Sequence, residues 1–334
     1  MKNINTFKKI IFIAIASTAI ISCERNSTFE DVKPSIAKIA VLNPDFSVLE
    51  TAAIKGGVAG VLSNYNTGDP SGHFTVFAPT NDAFARLGLT SDNLSALDQS
   101  FLTNTLLYAV SNGDLLSTSF LPANPSASAF AGNTRRFIDR NGDKYINGSK
   151  IIATNISAIN GTVHAIDKVL ISSGGNIVES TIAVASGKVF VKPELTYLLA
   201  AVLYVERERP IVGIVNALAT SPSLTVFAPS DQAFINLGAA LGKTFTKPVD
   251  IELVDVDLVK AVLFNHVIGG GKFTSEMNAG PIANLNGTNL TLGTYINGVL
   301  SIKGPGATST PGNMTIPDVQ TKNGVVHIID KVML

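Results

Sequence analysis

The chain has 334 residues, enough for two domains of ordinary size, and its 25 basic residues balance its 25 acidic ones. No basic run follows the first nine positions, which argues against a nucleic-acid partner because phosphate binding needs a positive surface. The single cysteine excludes an intramolecular disulfide.

The N-terminus has the pattern of a secretory signal. Lys2, Lys8 and Lys9 precede the apolar run "IIFIAIASTAIIS" at 10–22, which is shorter than the roughly 20 residues of a membrane-spanning helix. The tetrad "IISC", which ends at Cys23, resembles a bacterial lipobox, in which the cysteine sulfur accepts an acyl chain. We therefore expect a lipoprotein-type signal peptide at 1–22 and lipidation of Cys23. The alternative is an ordinary secreted protein with an incidental cysteine.

Residues 23–33 are polar and patternless, which is typical of a flexible tether. A lipid on Cys23 would attach the protein to a membrane of the bacterial cell envelope, and we expect the outer membrane. The sequence leaves open whether the protein faces the periplasm or the cell surface.

The first predicted helices follow Pro34, where apolar residues recur at helical spacing and Pro44 is placed to start a longer helix. The phrase "TVFAPTNDAF" at 75–84 then predicts a strand that ends at a proline. Thr80 stands where a helix N-cap is wanted, and Asp82 lies in the first turn of that helix.

A further helix is predicted near 97–110, followed by short β-like runs. Within these, "DRNGDKY" at 139–145 alternates oxygen-bearing side chains as the start of a calcium loop would. Gly142 and Lys150 stand at the wrong positions for such a loop, so we expect a hairpin turn and no metal site. The phrase "NGTVHAIDKVL" at 160–170 predicts an Asn-Gly turn into a closing strand.

The same order of elements then repeats. "TVFAPSDQAF" occupies 225–234, with Ser230 as the helix cap and Asp231 in the first turn, and "NGVVHIIDKVML" occupies 323–334. The offset between copies grows along the chain, which indicates insertions in the second copy at 238–250 and 304–315.

The repeat predicts two domains, at 34–171 and 175–334. The residues between them, "SSGG" at 172–175, are interpreted as a short hinge, and so short a linker favours domains in contact.

The paired phrases resemble the two characteristic blocks of the fasciclin domain, present twice and in order. The resemblance implies an α+β fold for each domain, a compact wedge of two small β-sheets with several helices packed along it. It also implies extracytoplasmic adhesion or matrix binding without catalysis and without a cofactor.

In animal members of this family, a Tyr-His pair after the middle helix and an Asp near the closing strand are linked with integrin binding. Here Tyr108 is followed by Ala109, and His266 is preceded by Asn265. Neither domain has the full pair, so animal-type receptor activity is not expected, and Tyr108, Asn265 and His266 stay candidate binding residues.

The histidines of the closing strands are the other candidates for chemistry. His164 and Asp167 are three positions apart on a predicted strand, as are His327 and Asp330, so each pair points to opposite faces and cannot form a catalytic dyad. We expect structural roles for these four residues, and a hydroxyl or carboxylate of the first phrase as partner of the buried histidine.

The function that follows from these patterns is binding. We expect a membrane-anchored, non-catalytic adhesion protein that recognises another protein or an extracellular polymer. The alternative is an accessory envelope lipoprotein in glycan capture or uptake.

Overall fold

The computed structural model describes residues 33–122, 125–130 and 134–334. The expected signal peptide, Cys23 and nearly all of the tether lie outside these residues. The described chain forms two domains that are built from the same succession of helices and strands.

The helices of the first domain are α1 (Ile36–Leu42), α2 (Ser47–Lys55), α3 (Ala59–Ser63), α4 (Asn81–Ala85) and α5 (Gln99–Tyr108), with 3-10 turns at Pro44–Phe46, Leu94–Ala96 and Ser117–Ser119. Its strands are β1 (Phe74–Pro79), β2 (Val110–Asn112), β3 (Pro125–Ser126), β4 (Arg135–Arg140), β5 (Asp143–Ile146), β6 (Ser149–Ala158) and β7 (Gly161–Ile166). Strand β8 (Ile171–Ser172) follows.

The helices of the second domain are α6 (Ile177–Ala185), α7 (Thr196–Glu208), α8 (Ile214–Thr220), α9 (Asp231–Ala240) and α10 (Val256–Asn265), with 3-10 turns at Pro210–Val212, Pro248–Leu253 and Thr274–Glu276. Its strands are β9 (Leu224–Pro229), β10 (Val267–Gly269), β11 (Gly280–Ala283), β12 (Asn289–Leu292), β13 (Ser301–Lys303), β14 (Gly312–Thr321) and β15 (Gly324–Ile329). Among the described residues, no helix has the length and apolar character needed to span a membrane.

Each domain is organised around a parallel pair of strands. The strand order is β2-β1-β7-β6-β5-β4-β3 in the first domain and β10-β9-β15-β14-β13-β12-β11 in the second. Strand β1 runs parallel to β7, and β9 runs parallel to β15, so the two phrases of each repeat lie side by side. Every residue of β1, β7 and β9 is buried, as expected for parallel strands that are covered on both faces.

The long strands β6 and β14 join the two parts of each sheet. Each has ten residues and carries two register shifts against its neighbour, β7 or β15. Asn155 and Asp318 lie at these bulges with φ of 58° and 65°. Because the bulged strand bends, the two small sheets implied by the resemblance share one strand in each domain and form a continuous hydrogen-bonded path.

The asparagine of each Asn-Gly turn supports the helices above the sheet. Asn160 accepts from the N–H of Ile36 at 2.9 Å and donates to the carbonyls of Leu62 and Asn64 at 2.9 and 2.7 Å. Its counterpart Asn323 makes the same links to α6 and to the end of α8. In each domain one asparagine side chain, buried at Asn160 and half-buried at Asn323, thus fixes the start of the first helix and the end of the third.

The segment interpreted as a hinge is part of the second sheet. β8 pairs with β14, the N–H of Ser173 donates to Gln320 O at 3.0 Å, and the N–H of Lys322 donates to Gly175 O at 2.7 Å. These backbone bonds order the connection, so a free hinge at 172–175 is not what the structure contains.

Gly161→Ala should disrupt the parallel pair. A Cβ at this position would lie 1.9 Å from the carbonyl oxygen of Phe74, and φ there is 145°. We expect a loss of about 3 kcal/mol or more in the free energy of unfolding, measured by urea denaturation. Gly60→Ala is the control, because a Cβ in that helix meets open space and should stabilise the protein by up to about 1 kcal/mol. Equal effects of the two changes would contradict the close approach.

Candidate functional site

The first phrase of each repeat forms a strand followed by a capped helix. Thr80 Oγ1 accepts from the N–H of Ala83 at 3.4 Å, and Ser230 Oγ accepts from the N–H of Ala233 at 3.2 Å. These hydroxyls start α4 and α9, which is a structural task.

The residue after each cap ties the phrase to an earlier helix. Asp231 accepts from the N–H of Tyr197 at 3.0 Å, and Asn81 accepts from the N–H of Val48 at 3.0 Å. Asp82 is exposed in the first turn of α4. The counterpart of Asp231 in the fold is therefore Asn81 rather than Asp82.

His164 is fully buried, and both of its ring nitrogens are hydrogen-bonded to backbone groups. Nδ1 accepts from the N–H of Asn155 at 3.1 Å, and Nε2 donates to Leu115 O at 2.7 Å. The ring stacks on Phe77, with centroids 5.3 Å apart. Burial lowers the pKa of His164. The first phrase thus supplies a packing surface and not the expected hydroxyl or carboxylate.

His327 repeats this arrangement in the second domain. Nδ1 accepts from the N–H of Asp318 at 3.1 Å, Nε2 donates to Lys272 O at 3.0 Å, and the ring stacks on Phe227. Burial lowers the pKa of His327 although the Asp318 carboxylate, 3.9 Å away, favours the charged form. A neutral ring with both nitrogens occupied has no free position for proton transfer to a substrate.

The aspartates of the second phrase join two neighbouring strands. Asp167 Oδ1 accepts from the N–H of Lys150 at 2.7 Å, and Asp330 Oδ1 accepts from the N–H of Asn313 at 2.7 Å. Each carboxylate therefore joins the end of β7 or β15 to the start of β6 or β14.

The candidate binding residues Tyr108, Asn265 and His266 are buried, with 0%, 6% and 2% of their surface exposed. The Tyr108 hydroxyl donates to Gln320 Oε1 and accepts from Asn147 Nδ2 at 2.9 Å, and burial raises its pKa. The structure gives these three candidates hydrogen-bonding partners inside the protein and leaves little of them on the surface for a ligand.

His266 is held at both ring nitrogens. Nδ1 donates to Val262 O at 2.6 Å, and Nε2 accepts from the N–H of Met333 at 2.8 Å. Burial lowers the pKa of His266 to about 4. Asn265 Oδ1 accepts from Asn286 Nδ2 at 3.0 Å.

The stretch considered as a calcium loop is a β-hairpin. Asn141 and Gly142 take φ of 54° and 85° between β4 and β5, and Asp139 pairs with Lys144 at 2.7 Å. Over the described residues, no group of three or more His, Cys, Asp or Glu side chains is placed to hold a metal ion.

A buried ion pair joins the two domains. Lys168 Nζ, at the end of the first domain, donates to Asp318 Oδ2 at 2.6 Å, to Thr274 Oγ1 at 2.8 Å and to Gly298 O at 2.7 Å. Burial raises the pKa of Asp318, but the neighbouring Lys168 outweighs that effect and holds it below the ordinary value. Lys168 Nζ donates three hydrogen bonds, and both oxygens of Asp318 accept, so the buried pair has the hydrogen bonds that such a pair requires.

Two arginines extend this contact. Arg136 binds Glu276 through two parallel bonds of 2.9 and 2.5 Å, and its guanidinium lies 4.5 Å from the ring centroid of Phe273. Arg140 donates to Ser275 O and Met277 O at 3.0 and 2.7 Å. We call the contact of Arg136, Arg140 and Lys168 with 274–277 and Asp318 the interdomain seam.

The seam uses a position that both domains share. In the first domain, Asn155 Oδ1 accepts from the N–H of Ser117 at 2.9 Å. In the second, Asp318 Oδ1 accepts from the N–H of Thr274 at 2.7 Å. The difference between Asn and Asp adds the negative charge that meets Lys168, and comparison of the two copies is the sequence signal that could have found it.

These features place the chain in a family. The sequence model of the Fasciclin domain family matches residues 44–172 and 210–334 of this chain. The chain therefore belongs to that family. It is an α+β protein with two tandem domains of this kind.

Similar proteins include a bacterial and an animal example. Protein sll1483 of Synechocystis sp. is 32% identical over 143 residues, which cover 42% of this chain and 75% of that protein. The transforming growth factor-beta-induced protein ig-h3 of Sus scrofa is 26% identical over 95% of this chain, which spans 43% of that protein. A solved FAS1 domain pair from the insect cell adhesion molecule Fasciclin I has a TM-score of 0.38 and 14% identity, covering 89% of this chain and 95% of its own.

Lys168→Met should destabilise the protein strongly, because it leaves the Asp318 carboxylate buried without a countercharge. We expect a loss of about 3–5 kcal/mol in the free energy of unfolding. Adding Asp318→Asn, which reproduces the residue of the first domain, should recover most of that loss.

The control for this pair is Lys331→Met, the counterpart lysine, which donates to Thr310 outside the seam. Its effect should stay within about 0.5 kcal/mol. Urea titrations of the four proteins measure the comparison, and a double variant no more stable than Lys168→Met would contradict the ion pair.

The free energy of unfolding should fall as the pH drops from about 6.5 toward 4, because of His266. The unfolded chain protonates His266 near pH 6.5, whereas the folded protein does so only near pH 4, so the unfolded state gains protons first. Between pH 7 and 5 this residue should cost about 2 kcal/mol of stability. His266→Gln should lower stability at pH 7 but show a shallower pH dependence in urea titrations. A slope parallel to that of the wild type would contradict this account.

Proposed function

We propose that the protein is a lipid-anchored, extracytoplasmic adhesion protein of the bacterial cell envelope, without catalytic activity, which binds another protein or an extracellular polymer. Fasciclin domains are found in adhesion and matrix-binding proteins, which supports the general role. Attachment through Cys23 and placement at the outer membrane belong to the proposal.

The seam is the observation that carries this function. A buried ion pair and two arginines hold the domains in one orientation, so binding sites on the two domains would keep a fixed separation. Two weak sites held in this way gain avidity when one ligand spans both. The occupied ring nitrogens of His164, His266 and His327 further favour binding over catalysis.

The loops that differ between the copies are the expected contact regions. Helix α9 has ten residues where α4 has five, and the segment at 304–312 lies against the C-terminal residue, with the N–H of Gly306 donating to Leu334 O at 2.8 Å. The last three residues of α9 and the segment at 304–312 lie within the insertions expected from the sequence, at 238–250 and 304–315.

Cys23→Ala tests the anchor and the function together. We expect this variant to lose acyl labelling and to leave the membrane fraction, because the thiol that accepts the lipid is absent. Cells that carry the wild-type protein should attach to surfaces or to one another more than deletion cells do, and the variant should not restore attachment.

Two outcomes would contradict the proposal. If Cys23→Ala stays in the membrane fraction, the proposed lipid anchor is contradicted. If deletion of the protein leaves cell attachment unchanged, the proposed adhesive role is contradicted. A growth defect on one polysaccharide with normal attachment, together with direct binding in a glycan array, would assign the protein to glycan capture instead.

A further inference from the structure

Both domains hold an apolar cavity between their first three helices and the sheet, but the two cavities differ in size. The cavity of the first domain lies under α1, α2 and α3 against β1 and has a volume of about 190 Å³. Its counterpart under α6, α7 and α8 has about 60 Å³. Since both domains have the same order of helices and strands, the difference in cavity volume must come from the lengths of the helices and from the side chains that line each cavity.

Shorter helices are the first cause. α1, α2 and α3 have 7, 9 and 5 residues, whereas α6, α7 and α8 have 9, 13 and 7. Asn160 and Asn323 fix the first and third helices of each layer at equivalent points. The α-helices of the first domain are therefore shorter between these two fixed points.

A small side chain is the second cause. Ala109 lines the larger cavity, and His266, which follows α10 as Ala109 follows α5, lines the smaller one. The imidazole fills space that the methyl group leaves open.

The chemistry of the larger cavity suits an uncharged alkyl group. Among the described residues that line it, Glu50 and Ser63 are the polar ones and none is basic. Val41 and Ile54 line it while remaining 49% and 64% exposed, so the entrance is also apolar. An engineered apolar cavity of about 150 Å³ in another protein binds benzene, so by proportion this one holds roughly seven carbons.

We infer that this cavity binds the alkyl chain of an uncharged or zwitterionic membrane lipid. Glu50 disfavours a fatty-acid carboxylate at the same place by charge repulsion. Ile36, which lines the cavity, is 13 residues after Cys23. An extended chain of that length spans at most about 45 Å, so the membrane is the nearest source of alkyl chains once the protein is anchored. The choice of source thus rests on the proposed function, whereas the affinity for alkyl chains does not.

The test uses residues 33–334, one compact unit that contains every described helix and strand, and 1-alkanols of four to ten carbons. Calorimetric titration should give a Kd that falls about fourfold per methylene, from about 0.8 kcal/mol per buried group. The gain should level off near seven carbons. Ala109→Leu and, independently, Ala40→Leu should weaken octanol binding at least tenfold.

Ala217→Leu is the matched control, because Ala217 lines the smaller cavity, and it should leave octanol binding unchanged. The proposed site would be contradicted if the Kd did not depend on the length of the alkanol. It would also be contradicted if neither Ala109→Leu nor Ala40→Leu weakened octanol binding. Phosphatidylcholine vesicles test the source: the wild-type fragment should sediment with them and Ala109→Leu should not. Alkanol binding without vesicle binding would overturn the assignment to membrane lipid, and neither measurement depends on acylation of Cys23.

Discussion

The structure depends on one constraint, the parallel pairing of β1 with β7 and of β9 with β15. The pairing brings the backbones so close that Gly161 and Gly324 leave no room for a Cβ, which would lie 1.9 or 2.0 Å from a carbonyl oxygen of the neighbouring strand. It also places His164 opposite Phe77 and His327 opposite Phe227. Each histidine then accepts from a backbone N–H on the bulged strand, which fixes the bulge in position.

The seam follows from that bulge. The same turn that lets Asn155 bind the backbone of Ser117 directs Asp318 toward Thr274 and Lys168. A shared structural position thus becomes a contact between domains through one change of side chain. The apolar cavities of the two domains also differ through a few changes in the same scaffold. In the first domain Ala109 occupies the position of His266, and the three covering helices are shorter than those of the second domain.

Local chemistry made much of the fold predictable from the sequence. The caps at Thr80 and Ser230 and the Asn-Gly turns are decided by neighbours within a few residues, and the repeated phrases identify the domains. Lys168 could not be placed in this way, because its partner Asp318 is 150 positions away and is brought near only by the packing of two domains. The contact of Tyr108 with Gln320, 212 positions away, could not be predicted for the same reason, so the sequence left Tyr108 as a candidate binding residue. The segment at 172–175 has the composition of a hinge. In the structure, however, Ile171 and Ser172 form a short strand that pairs with β14.

The seam should make the two domains one cooperative unit in unfolding. Differential scanning calorimetry of the whole protein tests it most directly, because a single cooperative unit has equal calorimetric and van't Hoff enthalpies. We expect one transition with a ratio of these enthalpies near one. Two resolved transitions, each with the enthalpy of a single domain, would contradict it.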